Sequence, residues 1–510
     1  MVFIKYVLLF LWSILSIPAV SLDILYYDII SEPKYQFLKK VGNGAYGVVF
    51  QEDDYVIKVA RFGELGDDAK TVLEIALFKA LKHKSIPDIL GINIHKGKEK
   101  NYWELRLPYY RQPDKNNLIE ITKDMSSVLA YAHAHNIAHR DIKNVHIVDH
   151  NGVAVLIDWG SADILAASPG HQVSTTVTHR DPALLLGETG SPKANDLWSL
   201  GVSLLEINNK EKALFWGTCP IVVLGRIFSP WPYFSTFDDL LNEWQKGNLQ
   251  FTPVLADNFS KLSPEVIILK DLFNIDSNTR LTAHQLSEKL GNNKKEEVLK
   301  FPPTPKTLIF KENTINNTIR RQAYLWLNSI NSKQDNNEKI LFEAMSITDR
   351  FIEKSAEKMR ENLYLPAAIA YYLSSGFYDR NISIPNLVKY AVNSFTEEQF
   401  KQGMAQFLQD ADYNIIYNHM LRDLQNELYK NMSIDKNRQA ILMLEMLEID
   451  EQTFAYSNEK KWDLVQRVIN DNKSDEARAI MHHLCTSFKK SHSFVNTSEF
   501  KALCAQVYSA

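Results

Sequence analysis

Asp141 and Lys143 lie two residues apart, and Asp158 follows Asp141 by seventeen residues. Together they form a set that could move a phosphoryl group. An aspartate on a rigid loop can accept the proton of an attacking hydroxyl, a neighbouring lysine can neutralise the migrating group, and a second aspartate after a short apolar strand can hold magnesium. Upstream, the run Val41-Gly42-Asn43-Gly44-Ala45-Tyr46-Gly47-Val48-Val49 carries three glycines, whose missing side chains let backbone N–H groups approach phosphates. By itself that pattern fits an ordinary hairpin turn equally well. Here it is followed, after a short Asp53-Asp54 turn, by Tyr55-Val56-Ile57-Lys58, which adds a strand and a lysine able to reach the α- and β-phosphates. The next apolar residues, from Thr71 to His83, recur at helical spacing and predict a helix carrying Glu74.

In this order, and joined by His139-Arg140-Asp141-Ile142-Lys143, Asp158-Trp159-Gly160, Thr176 to Gly187, Asp196-Leu197-Trp198-Ser199-Leu200-Gly201 and Arg280, these segments resemble a protein kinase. The Glu74-Ile75-Ala76-Leu77-Phe78-Lys79 helix and the Leu184-Leu185-Leu186-Gly187 ending are similar to the cyclin-dependent branch. The resemblance implies a two-lobed α+β kinase fold over 35–291 that uses ATP and Mg2+ to phosphorylate serine or threonine on protein substrates. It implies Asp141 as catalytic base, Lys143 at the phosphoryl group, Thr176 bridging the two, and Asp158 on the metal. It places ATP on the glycine-rich loop, Val41 to Val49, and on Lys58, with Glu74 as the ion-pair partner of Lys58. Asp196 would brace the catalytic loop.

The departures from the family pattern are chemical. His146 stands where the family carries an asparagine for the second metal, and imidazole suits softer ions than magnesium does, opening the site to Mn2+. Ala183 replaces the glutamate that pairs with the arginine matched by Arg280; a buried arginine is costly without a partner, so Arg280 requires one elsewhere. Val56 replaces a small residue beneath the adenine. Of the three arginines that clamp a phosphothreonine in the cyclin-dependent branch, Arg140 is present while Leu73 and Asp163 occupy the other positions, and the phosphothreonine position falls near His171. One guanidinium does not recreate a triple clamp. Two readings follow: an active kinase, favoured by Lys58, Glu74, Asp141, Lys143 and Asp158, or a pseudokinase scaffold binding cell-cycle partners, favoured by His146 and Ala183.

The chain has 510 residues, enough for two or three domains, and its net charge of −4 makes no electrostatic case for nucleic acid. After Gly291 a polar, proline-marked stretch, 292–312, reads as a linker. Beyond it the text is helical. Arg320 to Leu327 and Ala344 to Phe351 resemble the first two helices of a cyclin box, in which Arg320 would pair with Asp349; Pro366 to Ser375 resembles its small-residue central helix and Ser394 to Phe400 the start of its last helix. The resemblance implies an all-α cyclin-like domain over 313–430 acting as an intramolecular partner of the kinase, with 431–510 either a degenerate second box or a helical tail. Gly376 and Met404 stand where cyclins carry a docking lysine and glutamate, so a covalent tether would have to compensate for weak contacts. Cys219, Cys485 and Cys504 are far apart in sequence and read as mostly buried apolar residues, with no disulfide framework.

Residues 1–21 combine Lys5, an apolar run from Tyr6 to Ile17 and Ala19-Val20-Ser21. This is a signal-peptide pattern, with an uncleaved membrane anchor or a wrongly assigned start as the alternatives. The apolar run falls short of the ~20 residues that span a bilayer. Asn-X-Ser/Thr sequons at Asn258, Asn316, Asn381, Asn431, Asn472 and Asn496 are compatible with secretion. A secreted kinase would need ATP in that compartment, so the location stays open between the secretory route and the cytosol or nucleus.

Overall fold

A computed structural model describes residues 27–508 apart from 45–46, 165–175, 189, 210–212, 218, 231–233, 235, 293–316, 335–336, 360–361, 381, 417–427, 429–432, 451–457, 470–474 and 489–496. The signal-peptide pattern, most of the linker, and Ala45, Tyr46 and His171 lie outside the described residues. The chain divides into two compact units, with the boundary between Glu297 and Val298.

The first unit begins with a short helix, α1 (Tyr27–Ile30), and a five-stranded antiparallel sheet built from β1 (Lys39–Gly44), β2 (Gly47–Glu52), β3 (Tyr55–Arg61), β4 (Gly91–Lys96) and β5 (Asn101–Pro108), in the order β1-β2-β3-β5-β4. Successive strand residues point to opposite faces. Ile57 and Val59 of β3 therefore join Val48, Phe50, Tyr102, Ile29 and Tyr35 in one core, while Val56, Lys58 and Ala60 face the other way. The turn between β2 and β3 is two residues long, with Asp53 in the left-handed region at φ 51°, a conformation aspartate tolerates better than most residues.

Helix α2 (Leu65–Ala80) carries Glu74, and its own first turn ties it to the sheet. Asp67 accepts from the Arg61 N–H at 3.1 Å, and Asp68 Oδ1 accepts from the Gly63 N–H at 3.0 Å and from Trp103 Nε1 at 2.8 Å. Trp103 is fully buried in β5.

The helical lobe is organised by α3 (Leu118–Ala134), the hairpin β6 (Ile147–His150) and β7 (Val153–Leu156), a single turn α4 (Pro182–Leu185) and α5 (Pro192–Asn209). Helices α6 (Pro220–Ile227), α7 (Phe237–Gln245), α8 (Pro253–Ser260) and α9 (Ala283–Lys289) complete it. Asn258, one of the sequon asparagines, is buried in α8, where its amide donates to the Val254 carbonyl and its side-chain oxygen accepts from Asn209. It is not an accessible glycan acceptor in the folded chain.

The second unit is helical: α10 (Asn317–Lys333), α11 (Glu338–Met359), α12 (Tyr364–Phe377), α13 (Ile384–Tyr390), α14 (Glu397–Asp410), α15 (Ile434–Ile449), α16 (Asn458–Ile469), α17 (Asp475–Phe488) and α18 (Ser498–Tyr508). Helix α12 is buried from Pro366 to Phe377, which its small residues permit by letting neighbours approach closely on several faces. Arg320 and Asp349 form the expected pair, bidentate at 2.8 Å for both bonds. Arg320 also donates to the Glu448 carbonyl at 2.8 Å, so α15 belongs to the same packing as the box helices. Thr396 and Gln399 close a capping box at the start of α14, where sequence placed the opening of the last helix.

The cysteine reading is corrected. Cys485 and Cys504 form a disulfide with Cα atoms 5.8 Å apart, because α17 and α18 pack side by side and bring together residues nineteen apart in sequence. Cys219 remains a half-buried free thiol. Among the described residues no helix is long and apolar enough to cross a membrane.

Candidate active site

Lys58 leaves β3 on the face opposite the Ile57 core and meets two carboxylates: Glu74 of α2 and Asp158, each at 2.7 Å. Burial works against the lysine's charge, but Asp158 and Glu74 more than offset it and raise its pKa above the ordinary value. Asp158 shows the converse. Burial alone would raise its carboxyl, and Lys58 and His146 together hold it well below the usual carboxylate range.

Asp158 and Arg140 both sit in the left-handed region, at φ 63° and 69°, conformations that cost free energy outside glycine and persist where surroundings over-determine them. For Arg140 the restraint is visible. Asp196 of α5, fully buried, accepts the backbone N–H of His139 and of Arg140, each at 2.8 Å, and a third bond from His133 Nε2 at 2.9 Å. The loop that carries Asp141 is thereby pinned to α5. Next to Asp158, Trp159 is fully buried and donates to the Leu156 carbonyl at 2.8 Å. A Cβ on Gly160 would lie 3.1 Å from the Lys70 carbonyl of α2, so a residue without a side chain permits this close packing.

Asp141 is the shared partner of its neighbours. Its Oδ1 accepts from the Thr176 hydroxyl at 2.7 Å, and its Oδ2 from Lys143 Nζ at 3.1 Å. Thr176 was expected to bridge Asp141 and Lys143; in the structure it bonds to Asp141, and the Asp141 carboxylate is the group that joins the other two. Burial raises that carboxyl, and His146, Lys143 and the Thr176 bond outweigh it, so the Asp141 pKa lies below the ordinary value and the group is ionised at neutral pH.

The glycine-rich segment is the β1–β2 hairpin. Val41, Gly42, Asn43 and Gly44 end β1, and Gly47, Val48 and Val49 open β2. A Cβ on Gly47 would fall 2.5 Å from the Val59 carbonyl, which explains glycine there. Val56 lies on the Lys58 face of β3 with a buried side chain.

His146 is buried and its Nδ1 lies 2.7 Å from the Asp141 carbonyl, with Nε2 3.1 Å from Asp158 Oδ2. Ligand atoms of Asp141, His146 and Asp158 all fall within 4.8 Å of one another. This donor set fits a divalent cation, with Asp158 and His146 the residues that would hold it.

Sequence reasoning left Arg280 without a partner, and the structure supplies Asp181. The two side chains are fully buried, with Arg280 Nη1 3.0 Å from Asp181 Oδ2. Arg280 also donates to the carbonyls of Asn274 at 2.8 Å and Ala194 at 2.7 Å. Asp181 caps α4 as well, accepting from the Leu184 N–H at 3.0 Å. The carboxylate missing at position 183 has its counterpart two residues upstream, and the Asp181-Pro182 helix-start signature was the signal available for finding it. His133, Asp68 and Trp103 were likewise missed. Leu73 and Asp163, at the two absent clamp positions, are both buried.

A two-lobed fold with a lysine–glutamate pair under a glycine hairpin and a braced aspartate loop defines a protein kinase. The family model described as "Protein kinase domain" matches residues 35–290, and the chain belongs to that family. A second model, "Cyclin, N-terminal domain", matches residues 289–416. The chain thus joins a protein-kinase domain similar to those of the cyclin-dependent type to a C-terminal cyclin-like domain. It is similar to cyclin-dependent kinase-like 2 of Rattus norvegicus, 30% identical over 198 residues covering 34% of this chain and 38% of the relative. It is also similar to the human cyclin-dependent kinase-like 2, 30% identical over 34% of this chain and 39% of the relative. The CTD kinase subunit alpha of Schizosaccharomyces pombe is 29% identical over 34% of this chain and 33% of that protein. The chain thus matches between 33% and 39% of the length of these relatives.

Proposed function

We propose that the protein transfers the terminal phosphoryl group of ATP to serine or threonine hydroxyls of protein substrates. The observation that supports this most directly is that both halves of the machinery are assembled at once, with Lys58 held between Glu74 and Asp158 and Asp141 ionised between Thr176 and Lys143. Magnesium–ATP, when bound, supplies the phosphoryl donor and neutralises its charge. Lys58 is positioned by Glu74 to anchor phosphate, and Asp158 would hold the metal with His146. Asp141 orients the substrate hydroxyl and takes its proton, while Lys143 stabilises charge on the transferring group. Val41 to Val49 would cover the nucleotide. Residues 35–291 would form the catalytic domain, 292–312 a linker, 313–430 the cyclin-like activator and 431–510 a helical extension.

Removing the base or the anchor strips out transition-state stabilisation. Asp141→Asn and Lys58→Met should each lower phosphate transfer to a generic basic protein by at least about a hundredfold. Wild-type protein no more active than these variants would favour the second reading, a scaffold for cell-cycle partners. His146 against Asp158 is the observation that favours it, since that contact engages the metal-binding carboxylate.

A further inference from the structure

The imidazole of His146 is oriented by its neighbours before any ligand arrives. Its Nδ1 lies 2.7 Å from the backbone carbonyl oxygen of Asp141. A carbonyl can only accept, so Nδ1 carries a hydrogen and donates it. The other ring nitrogen, Nε2, is thereby turned toward Asp158 Oδ2 at 3.1 Å. With Asp141 these ligand atoms all fall within 4.8 Å of one another, a spacing at which they could share one metal ion.

The surroundings hold this arrangement in place. The turn carrying His146 is closed by its N–H on the Lys143 carbonyl at 2.9 Å, and its own carbonyl accepts from the Ile157 N–H at 3.0 Å, one residue before Asp158. His139 lies beside it with ring centroids 6.2 Å apart. The His139 Nε2 donates to the Ile157 carbonyl at 3.0 Å, while its Nδ1 accepts from the Asp141 N–H at 3.2 Å. Both bonds define a neutral ring, and burial, which lowers the His139 pKa, acts in the same direction.

The separation also fits a metal. Adjacent ligands of an octahedral ion with bonds of about 2.1 Å stand roughly 3 Å apart, close to the 3.1 Å between Nε2 and Oδ2. The hydrogen bond from Nδ1 to a carbonyl is the outer contact that fixes ring orientation and raises the basicity of a ligating histidine.

Resting on the reading of this site as a metal-dependent phosphotransfer centre, we infer that His146 and Asp158 form a mixed nitrogen–oxygen site that selects a first-row transition ion of the Mn2+ or Co2+ type over Mg2+. Magnesium demands oxygen ligands in a strict octahedron, whereas imidazole gains affinity along the transition series. The enzyme's nucleotide complex would then respond to transition-metal supply.

The test uses full-length protein with Mn2+ and a non-hydrolysable ATP analogue, read by pulsed electron paramagnetic resonance. Nitrogen coupling to bound Mn2+ is expected, and protein grown with 15N-histidine should convert it to the 15N pattern, which nucleotide nitrogen cannot do. His146→Asn should abolish the coupling and narrow the Mn2+-over-Mg2+ affinity ratio by at least about tenfold. Because the isotope experiment uses the wild-type protein, a misfolded variant cannot obscure the result. A bound Mn2+ with no histidine coupling would overturn the inference. Histidine coupling in a protein whose activity does not depend on Asp141 or Lys58 would instead leave the metal site standing and remove the proposed catalysis.

Discussion

Replacing Asp181 by asparagine removes one negative charge while keeping a residue that caps helices well, so it isolates the ion pair with Arg280 from the cap on α4. Both side chains are fully buried and 3.0 Å apart, and removing one partner of such a pair costs about 3 to 5 kcal/mol because the other charge is left uncompensated. Arg280 keeps its carbonyl partners at Asn274 and Ala194 and lies 5.2 Å from the Trp198 ring, which places the expected loss near the lower end, about 3 kcal/mol. In a unit of this size that lowers the unfolding midpoint by roughly 6 to 12 °C. Asp181→Ala should lose about a further 1 kcal/mol with the cap. The informative variant is Asp181→Asn with Ala183→Glu, which moves the carboxylate to the family's usual position. Differential scanning calorimetry of the four proteins of this cycle isolates the pairwise term, and phosphotransfer to a protein substrate reports whether the substrate-binding loop is restored. At least half of the lost stability should return in the double variant. A midpoint for Asp181→Asn within 2 °C of wild type, or a double variant no better than the single one, would refute the reasoning.

Three further outcomes follow from particular contacts. Asp68→Ala leaves the Gly63 and Trp103 N–H donors without their acceptor, at about 1 to 3 kcal/mol per buried donor; faster hydrogen exchange in α2 and at least about a fivefold lower kcat are expected, and unchanged exchange would count against α2 being held by its first turn. A protein ending at Gly291 should be less active than the full chain and recover on addition of residues 313–510, since a linker of about 20 residues spans roughly 25 Å and keeps its partner at high effective concentration; equal activity of the shorter protein would remove the activator role. Burial and Glu338 push the Glu445 carboxyl up to about 8, so the folded state binds its proton more tightly than the unfolded chain does, and stability of the second unit should fall as pH rises from about 4.3 to 8 and level off above; calorimetry of Glu445→Gln should show that slope flattened, and an unaltered slope would exclude Glu445 as its source.

Asp141 and Lys143 are neighbours through covalent connection, and Lys58 follows the glycine hairpin by a fixed number of strand residues. Their grouping was therefore legible in motif order, and the two-lobed kinase fold and the helical cyclin-like half came with it. Helical periodicity and small residues likewise marked α12, and the Arg320–Asp349 pair was expected from two helix motifs. What the tertiary structure alone decided concerns contacts between distant segments and the direction in which side chains point. Asp181 and Arg280 are ninety-nine residues apart, and their pairing depends on the packing of α4 against the segment before α9. Cys485 and Cys504 meet because two helices lie side by side, and Arg320 reaches Glu448 because α15 packs on α10. His146 was visible as a substitution, but its meaning lay in which nitrogen faces Asp158. The Asp141 carbonyl settles that by accepting the hydrogen on the other nitrogen. Local patterns state which residues are adjacent along a strand or helix, whereas the desolvation and pairing of a buried charge are properties of everything folded around it.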